Sequence, residues 1–491
     1  MQKIYSKKTQ NLVVYKIMKQ RFFIISLSLF CLFAYGQNAK TSYKTLDLLS
    51  AYLSSDLELK KTALSVKEAE LSSQQSTIQN GISATLSTGT ITFKNINDSL
   101  SVDFSPEAKI SVPAAANLTA NVSSQIKISE EANAEKTRLS LSVDIISSKQ
   151  QTRKNALLKS DRAVTEAKRT FQDNAISTEK NFYTELKKLY NTASSIISSQ
   201  NDLYDDTITF EEIKAQGYTK SSSKYRSAEL RVLSDKRTVE TKQRELEHDC
   251  VVFASKCGIT LPEEFNPFDF LPSEIPQVKP VSITSFNMED YKKIEQAKWN
   301  YYINELDRNA EKDFSLSANT GYTFNNTDTN SDTADVGTNL SWKGLSVGMG
   351  ISIPTTQEKS PAYTISASVD PNTFRLNKIK KQKNDISSEK ELITIEDAIQ
   401  KYETSLVDQQ TSLNDIIWSK ETNLKTYQMY SELEADLGKW YKAGITKESE
   451  YLSAKTNKEK YKINLLINDI DLIIYNIETN LLFNRDEKWK N

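Results

Sequence analysis

Between Ser147 and Lys214 the chain contains neither glycine nor proline, and the same holds from Thr373 to Leu437. A breaker-free run of roughly 65 residues reads as a single helix about 100 Å long, several times the usual length in a globular domain. A rod of that length must lie against other rods. The period for such packing is present: Ala175, Phe182, Leu189, Ile196 and Leu203 recur every seven residues, beside a second stripe of Ile176, Tyr183, Tyr190, Ile197 and Tyr204. Leu392, Ile399, Leu406 and Leu413 repeat the spacing in the second run. Sustained heptads specify left-handed coiled packing, and two adjacent stripes require partners on more than one side. Heptads alone would equally suit a plain coiled-coil spacer, so the segments between the helices decide the reading.

The chain is one unit written twice. Gly217-Tyr-Thr219-Lys220, followed by Tyr225 and Ser227-Ala228, recurs as Gly444-Ile-Thr446-Lys447, followed by Tyr451 and Ser453-Ala454. Ser142-Val143-Asp144 recurs as Ser368-Val369-Asp370, and Thr88-Gly89 with Ile91-Thr92-Phe93 as Thr320-Gly321-Tyr322-Thr323-Phe324. The three matches keep their order at nearly one offset, as an internal repeat does. Within each copy a breaker-free stretch (about 43–80 and 288–312) predicts a helix, after which the period drops to two. Leu139, Leu141, Val143 and Ile145 alternate with polar residues, as do Leu345, Val347, Met349, Ile351 and Ile353, and then Tyr363, Ile365, Ala367 and Val369. That alternation predicts strands with one apolar and one polar face. Residues 313–370 read as four strands, with Ser341 to Pro354 forming an additional hairpin, and 81–147 has room for as many. Each long helix then ends at a glycine, the residue suited to a left-handed helix cap, and a return helix follows over about 220–255 and 447–482.

The boundaries follow: a signal peptide over 1–36, repeat one over 37–258 with its β segment at 81–147 and tip near 217, a Pro-rich linker over 259–286, repeat two over 287–484 with its β segment at 313–370 and tip near 444, and a polar tail over 485–491. The linker region holds Pro262, Pro267, Pro272, Pro276 and Pro280. At the N-terminus, Lys19 and Arg21 precede the apolar run Phe22–Phe33 and then Ala34-Tyr35-Gly36, the layout of an export signal cleaved after Gly36. Met18 serves as well as Met1 for a start, and Cys31 lacks the small-residue context of a lipidation site. Cys250 and Cys257, seven apart on one helix, stand about 10 Å apart and read as structural thiols.

Composition removes several function classes. Lys plus Arg total 63 against 64 Asp plus Glu, with no basic block, so a nucleic-acid partner is not expected. A mean hydropathy of -0.53 excludes a bundle of membrane-spanning helices but not a β-barrel, whose lipid-facing signal falls on alternate residues. His248 is the only histidine and sits among acidic residues on a return helix. With no metal-spaced cluster, phosphate loop or nucleophile elbow, the chain is read as a non-enzyme without cofactor or metal.

The ordered set of signal, helix, β segment, long helix, Gly-centred tip and return helix, written twice, resembles the TolC-like outer membrane efflux proteins. The resemblance rests most on Tyr441-Lys-Ala-Gly444 with Glu450 and Ala454, on the weaker copy Lys214-Ala-Gln-Gly217 with Tyr225 and Ala228, and on Ser142-Val143-Asp144 where strand passes to helix. It implies a mainly α fold with β: two repeats of long coiled-coil helices plus short antiparallel strands, contributing to a shared transmembrane β-barrel. It further implies a homotrimer in the outer membrane, with helices extending into the periplasm, that meets a periplasmic adaptor and an inner-membrane pump as the exit duct of an efflux or type I secretion system. Gly217, Thr219, Lys220, Gly444, Thr446 and Lys447 would then form the adaptor-facing tips, and Tyr441 and Glu450 the entrance gate. The family's basic residue two places after the glycine is Thr446 here, so an ion-pair latch would fall to Lys447 or Lys220. The family pattern has two strands per repeat, fewer than the alternation indicates. From the residues alone, a periplasmic coiled-coil adaptor or surface stalk with a soluble β domain is the alternative.

Overall fold

The computed structural model describes residues 43–484 apart from 97–98, 129–131, 312, 327–330 and 357–358. The expected signal peptide, Cys31, both start sites and the polar tail lie outside the described residues. The helix expected over 43–80 is broken once, into Thr45–Ser55 (α1) and Leu57–Gln79 (α2). Asp56 causes the break: its carboxylate accepts the backbone N–H of Glu58 and Leu59 at 2.7 and 3.1 Å. A side chain that satisfies the first free amides of a helix starts a new one, a local effect that hydrophobic period does not register.

Six strands follow: Ser83–Ser87 (β1), Ile91–Ile96 (β2), Ser99–Phe104 (β3), Glu107–Val112 (β4), Leu118–Ile128 (β5) and Ala132–Ile146 (β6). The first long helix, Lys149–Ala215 (α3), and its return, Ser223–Lys256 (α4), complete the first copy. A short helix, Pro267–Phe270 (α5), lies in the proline-rich stretch. The second copy is Lys292–Ala310 (α6), Phe314–Asn325 (β7), Thr333–Trp342 (β8), Leu345–Pro354 (β9), Ala362–Val369 (β10), Pro371–Lys442 (α7) and Glu448–Leu481 (α8). Among the described residues no helix is long and apolar enough to cross a membrane.

All ten strands form one antiparallel sheet in the order β1-β4-β5-β6-β7-β8-β9-β10, with the β2–β3 hairpin attached through β3 to β5. On β5, Val122 faces Ala108 of β4 while Ile126 faces Phe104 of β3, so β3 and β4 occupy successive stretches of one neighbour. The first copy therefore makes four passes through the sheet (β1 with β2, β3 with β4, β5, β6), matching β7–β10. The strands beyond the family's two per repeat belong to the sheet itself and do not loop outside it. The copies join where β6 pairs β7, with Leu139 opposite Tyr322 and Val143 opposite Ala318.

The chain divides into two compact units. One comprises the stretch up to Thr62, Phe171–Asn287 and the stretch from Glu403 on. Its core is aromatic: Tyr52, Phe182, Phe253 and Phe270 form a chain of rings 5.4–6.2 Å apart. Both expected stripes of α3 are buried at Phe182, Leu189 and Ile196 and at Tyr183 and Tyr190. They meet α4 on one side (Lys188 to Asp249, 2.8 Å) and α8 on another (Lys187 to Asp471, 2.5 Å). Cys250 and Cys257 are buried free thiols, each pushed by burial up to about 12. The proline-rich stretch is strapped onto the helices. Phe270, Ile275 and Ile283 are buried, Gln277 donates to Asp469 at 2.6 Å, and the Val281 amide donates to Asn476 at 2.8 Å.

The other unit, Ala63–Thr170 and Met288–Tyr402, holds the sheet and the helix segments that adjoin it. Its helices meet in series through polar seams. α2 meets α3 at Glu70–Lys168 (2.9 Å), α3 meets α6 at Asn155–Asp307 (2.9 Å) and Arg169–Glu295 (3.1 Å), and α6 meets α7 at Arg308–Glu391 (2.8 Å). Arg162 is the hub of the middle seam. It is buried, pairs with Glu295 and Glu166, and its guanidinium lies 5.0 Å over Trp299. Burial alone would raise the Glu295 pKa, but the Arg162 hydrogen bond and charge, with Arg169, outweigh it and hold the carboxyl below the usual range. Its contribution to stability is therefore complete above the ordinary carboxylate range and is lost as pH falls through the lowered folded value.

Removing one partner of a buried pair leaves the other charge uncompensated. Glu295→Gln is thus expected to cost about 3 kcal/mol at neutral pH and to flatten the loss of stability on acidification. Thermal unfolding followed by circular dichroism at neutral and acid pH measures both.

Candidate functional site

Two regions stand out by their exposure among the described residues: the pair of helix turns, and the sheet with its open edges. Every residue singled out from the sequence for the tips lies at those turns. α3 closes with the Gly217 amide on the Lys214 carbonyl at 2.9 Å, and Gly217 has φ +83°. α7 closes with the Gly444 amide on Tyr441 and the Ile445 amide on Trp440, at 2.9 and 2.8 Å, and Gly444 has φ +71°. The second pattern, a bond five residues back paired with one inside it, is the cap a left-handed glycine makes possible. A Cβ on either glycine would meet nothing within 4 Å, so only the backbone angle demands glycine.

The two turns differ in length. In the first, Thr219 and Ser221 share a 2.8 Å hydrogen bond, the Lys220 carbonyl accepts from Arg226, and α4 starts only at Ser223, where the Ser222 hydroxyl accepts the Tyr225 amide. In the second, α8 begins at Glu448, directly after Lys447. Thr219, Lys220 and Lys447 are exposed and Thr446 is half-buried. Lys447 reaches Glu212 on the last turn of α3 at 3.7 Å, which ties the second tip to the first copy's long helix. Lys220 makes no such reach.

Tyr441 stacks on Tyr451 of the return helix, with ring centroids 5.7 Å apart and planes 5° from parallel. Glu450 is exposed and accepts a short hydrogen bond from the Thr446 hydroxyl. It lines a shallow groove with Asp205, Tyr430, Leu437, Ala454 and Asn457. Tyr204 closes this region from α3. Partial burial, then Glu448, Tyr441 and Asp205, raise its pKa. Asp205 is itself raised, by burial and then by Asp202 and Asp206, and Asp235 on α4 is raised by burial and then by Asp206 beside it. Sequence reasoning read Tyr204 only as a member of the second packing stripe and passed over Glu212 and this acidic group. Three Asp within five residues of α3 were a visible signal, whereas the Glu212 contact depends on how two helix ends meet. Among the described residues no group of His, Cys, Asp or Glu is placed to hold a metal ion.

The sheet is the second region. Cross-strand pairs put Leu86, Ala108, Val122, Leu139, Tyr322 and Ala334 in one continuous row from β1 to β8, and Val336, Ile351 and Tyr363 carry the apolar face on to β10. The face is bare: Leu86 is 88% exposed, Met349 57% and Ile365 78%. The opposite face is hydroxyl- and amide-rich, with Ser140, Gly321 and Asp335 in one row and Arg138 3.5 Å from Asp335. β1 and β10 each have one partner, and all of their residues are exposed.

In sequence, the TP096X N-terminal domain matches residues 48–275 and the TP096X C-terminal domain matches 276–486. No curated protein matches the chain. The MtrE outer membrane channel of Neisseria gonorrhoeae in its open state is similar over 91% of this chain and 93% of its own, at 12% identity and a TM-score of 0.50. The outer-membrane channel OprN matches over 90% of each chain at 13% identity and 0.49, and the outer membrane protein VceC of Vibrio cholerae over 89% of this chain and 96% of its own at 12% and 0.47. At such identities the shared property is the fold.

Because Gly444 stands in open space at φ +71°, Gly444→Ala should cost about 1–2 kcal/mol and Gly444→Asn less, since Asn tolerates the left-handed region. Hydrogen exchange should show the loss confined to amides near residues 438–451.

Proposed function

From the premise that the chain belongs to the TP096X family, carrying its N-terminal and C-terminal domains in order, and has the fold of TolC-type outer-membrane channels, we propose that it is a subunit of an outer-membrane exit duct. The observation that carries this reading is the sheet: one continuous apolar face that no helix among the described residues covers, a polar face behind it, and two edge strands with one partner each. In water such a face would be an aggregation surface. Against lipid it is satisfied, provided the edges find partners, because an unpaired backbone group in hydrocarbon costs several kcal/mol. Eight passes are an even number, so β1 and β10 run in opposite directions and can pair antiparallel between copies. The barrel is then shared, and its polar face lines the lumen. Three copies would pool twenty-four passes, twice what two strands per repeat would give. A periplasmic stalk or adaptor with a soluble β domain would need that apolar face covered, which disfavours the alternative.

The helical tips then form the periplasmic end. Gly217, Thr219, Lys220, Gly444, Thr446 and Lys447 present the turns to a periplasmic adaptor, and through it to an inner-membrane pump. Tyr441, held by Tyr451, and Glu450 narrow the entrance. The Lys447–Glu212 pair supplies the latch that Thr446 cannot, and as an exposed pair it is weak enough to release when an adaptor grips the tip. A ring of Glu450 carboxylates in a narrow passage concentrates cations.

Purified protein in a planar bilayer is expected to conduct, and absence of conductance from correctly inserted protein would sink the reading. Ile365→Arg, on the apolar face, should cost roughly 2–4 kcal/mol in lipid and abolish recovery from outer membranes, while Ser366→Arg beside it should insert. Glu450→Gln should lower the cation-to-anion permeability ratio without changing insertion, as reversal potentials under a salt gradient would show.

A further inference from the structure

The polar face of the sheet has a neutral belt. One row of cross-strand pairs runs unbroken from Ser83 on β1 through Thr119, Ser142, Asn319 and Gly350 to Thr364 on β10. It carries no charge and no side chain longer than asparagine, and none of its residues is buried. Charge enters in the rows on either side, at Lys109 and Asp335 and at Asp144.

The lining is thin as well as neutral. A Cβ on Gly337 would stand 2.7 Å from the Asn319 amide oxygen, one on Gly348 2.6 Å from the Ser366 hydroxyl, and one on Gly350 3.0 Å from that of Thr364. These side chains therefore lie along the sheet, over glycines that leave room for them, and do not stand out from it. Long side chains nearer the far ends of the strands do the same. Arg138 reaches Asp335 at 3.5 Å and Lys94 reaches Asp103 at 2.7 Å, and Thr323 and Ser101, their partners across the strands, are buried.

Width follows from the number of passes. At ordinary strand spacing and barrel tilt each pass takes about 6 Å of circumference, so the eight passes of one copy span roughly 50 Å. The four helices of the same unit, which meet in series, span about 40 Å at ordinary interaxial distances. Two strands per repeat would span only about 25 Å. The sheet is thus at least as broad as its helices, and closing it does not narrow the passage. Twenty-four passes in three copies give a backbone radius of about 24 Å and, with side chains this short, an open radius of about 20 Å. A folded domain of about 100 residues has a radius of roughly 17 Å.

We infer that the shared barrel is a wide, uncharged chamber that admits a folded polypeptide domain of this size, which a barrel of two strands per repeat would exclude. The inference rests on the duct reading and its three copies. Selection among small solutes needs a constriction lined by charge or fixed polar groups, and the neutral belt supplies none. Sugar rings find no stacking platform on it, because Trp342 and Tyr363 belong to the apolar face.

Spin labels on Thr364→Cys in the full chain, reconstituted in lipid, measure the width, since the native Cys250 and Cys257 are buried. Pulsed dipolar spectroscopy should give a distance between copies of about 35 Å, and Ile365→Cys, on the other face, one longer by roughly 15 Å. A Thr364 distance under about 20 Å, the value for twelve strands, overturns the chamber and leaves the duct standing. A longer distance at Thr364 than at Ile365 puts the polar face outside and removes the duct reading with it. In outer membranes, a maleimide-bearing folded domain of about 100 residues should modify Thr364→Cys within about tenfold of the rate of a small maleimide dye. Ser142→Cys makes the same comparison in the first copy. Modification of both sites by the dye alone overturns the admission of folded cargo.

Discussion

A β-sheet that is apolar across one whole face and open at both ends has few stable resolutions. The face must be removed from water, and the free N–H and C=O groups of the edge strands must be paired. Among the described residues the helices do neither. Of those residues, Leu86, Met349 and Ile365 stay exposed, and β1 and β10 have one partner each. The helices of the unit that holds the sheet meet in series, α2 with α3, α3 with α6 and α6 with α7.

Within the chain, polar seams do what apolar cores do elsewhere. The Arg162, Arg169 and Glu295 group, Asn155 with Asp307, and Arg308 with Glu391 fix which helix lies beside which, and at what height. Buried ion pairs add little net stability but penalise misalignment strongly, because a slipped helix leaves a charge unpaired. Long parallel rods with heptad stripes can slide by a turn at small cost, so such seams supply the specificity the stripes lack. The other unit solves the same problem with shape, through the ring chain from Tyr52 to Phe270 and the proline-rich strap bonded to α8.

The turns at the helix tips are weakly held. Their glycines sit in open space, Lys447–Glu212 is exposed, and Asp205 and Asp235 carry raised pKa values from burial and crowded carboxylates. For a carboxyl held above its ordinary range the sign is opposite to that of Glu295. Folding is favoured while the group stays protonated, and that advantage is lost as pH rises through the elevated value. The contributions of Glu295 and of Asp205 and Asp235 thus depend on pH with opposite sign.

Much of this was legible in the residues. The absence of glycine and proline determined the long helices, the period of two determined four strands in 313–370, and the duplicated glycines marked both turns, because each is a local property of backbone or pattern. The stripes at Phe182 and Tyr183 announced two partners without saying which. Other features depended on tertiary structure because they join residues far apart or turn on a single side chain: the helix break at Asp56, the union of six segments into four passes, the strap over 267–283, and the choice of Lys447 over Lys220 as the residue that reaches Glu212. The sequence by itself determined the elements and their duplication. Tertiary structure decided which faces remain bare, since exposure depends on every neighbour at once and no local pattern records what fails to be covered.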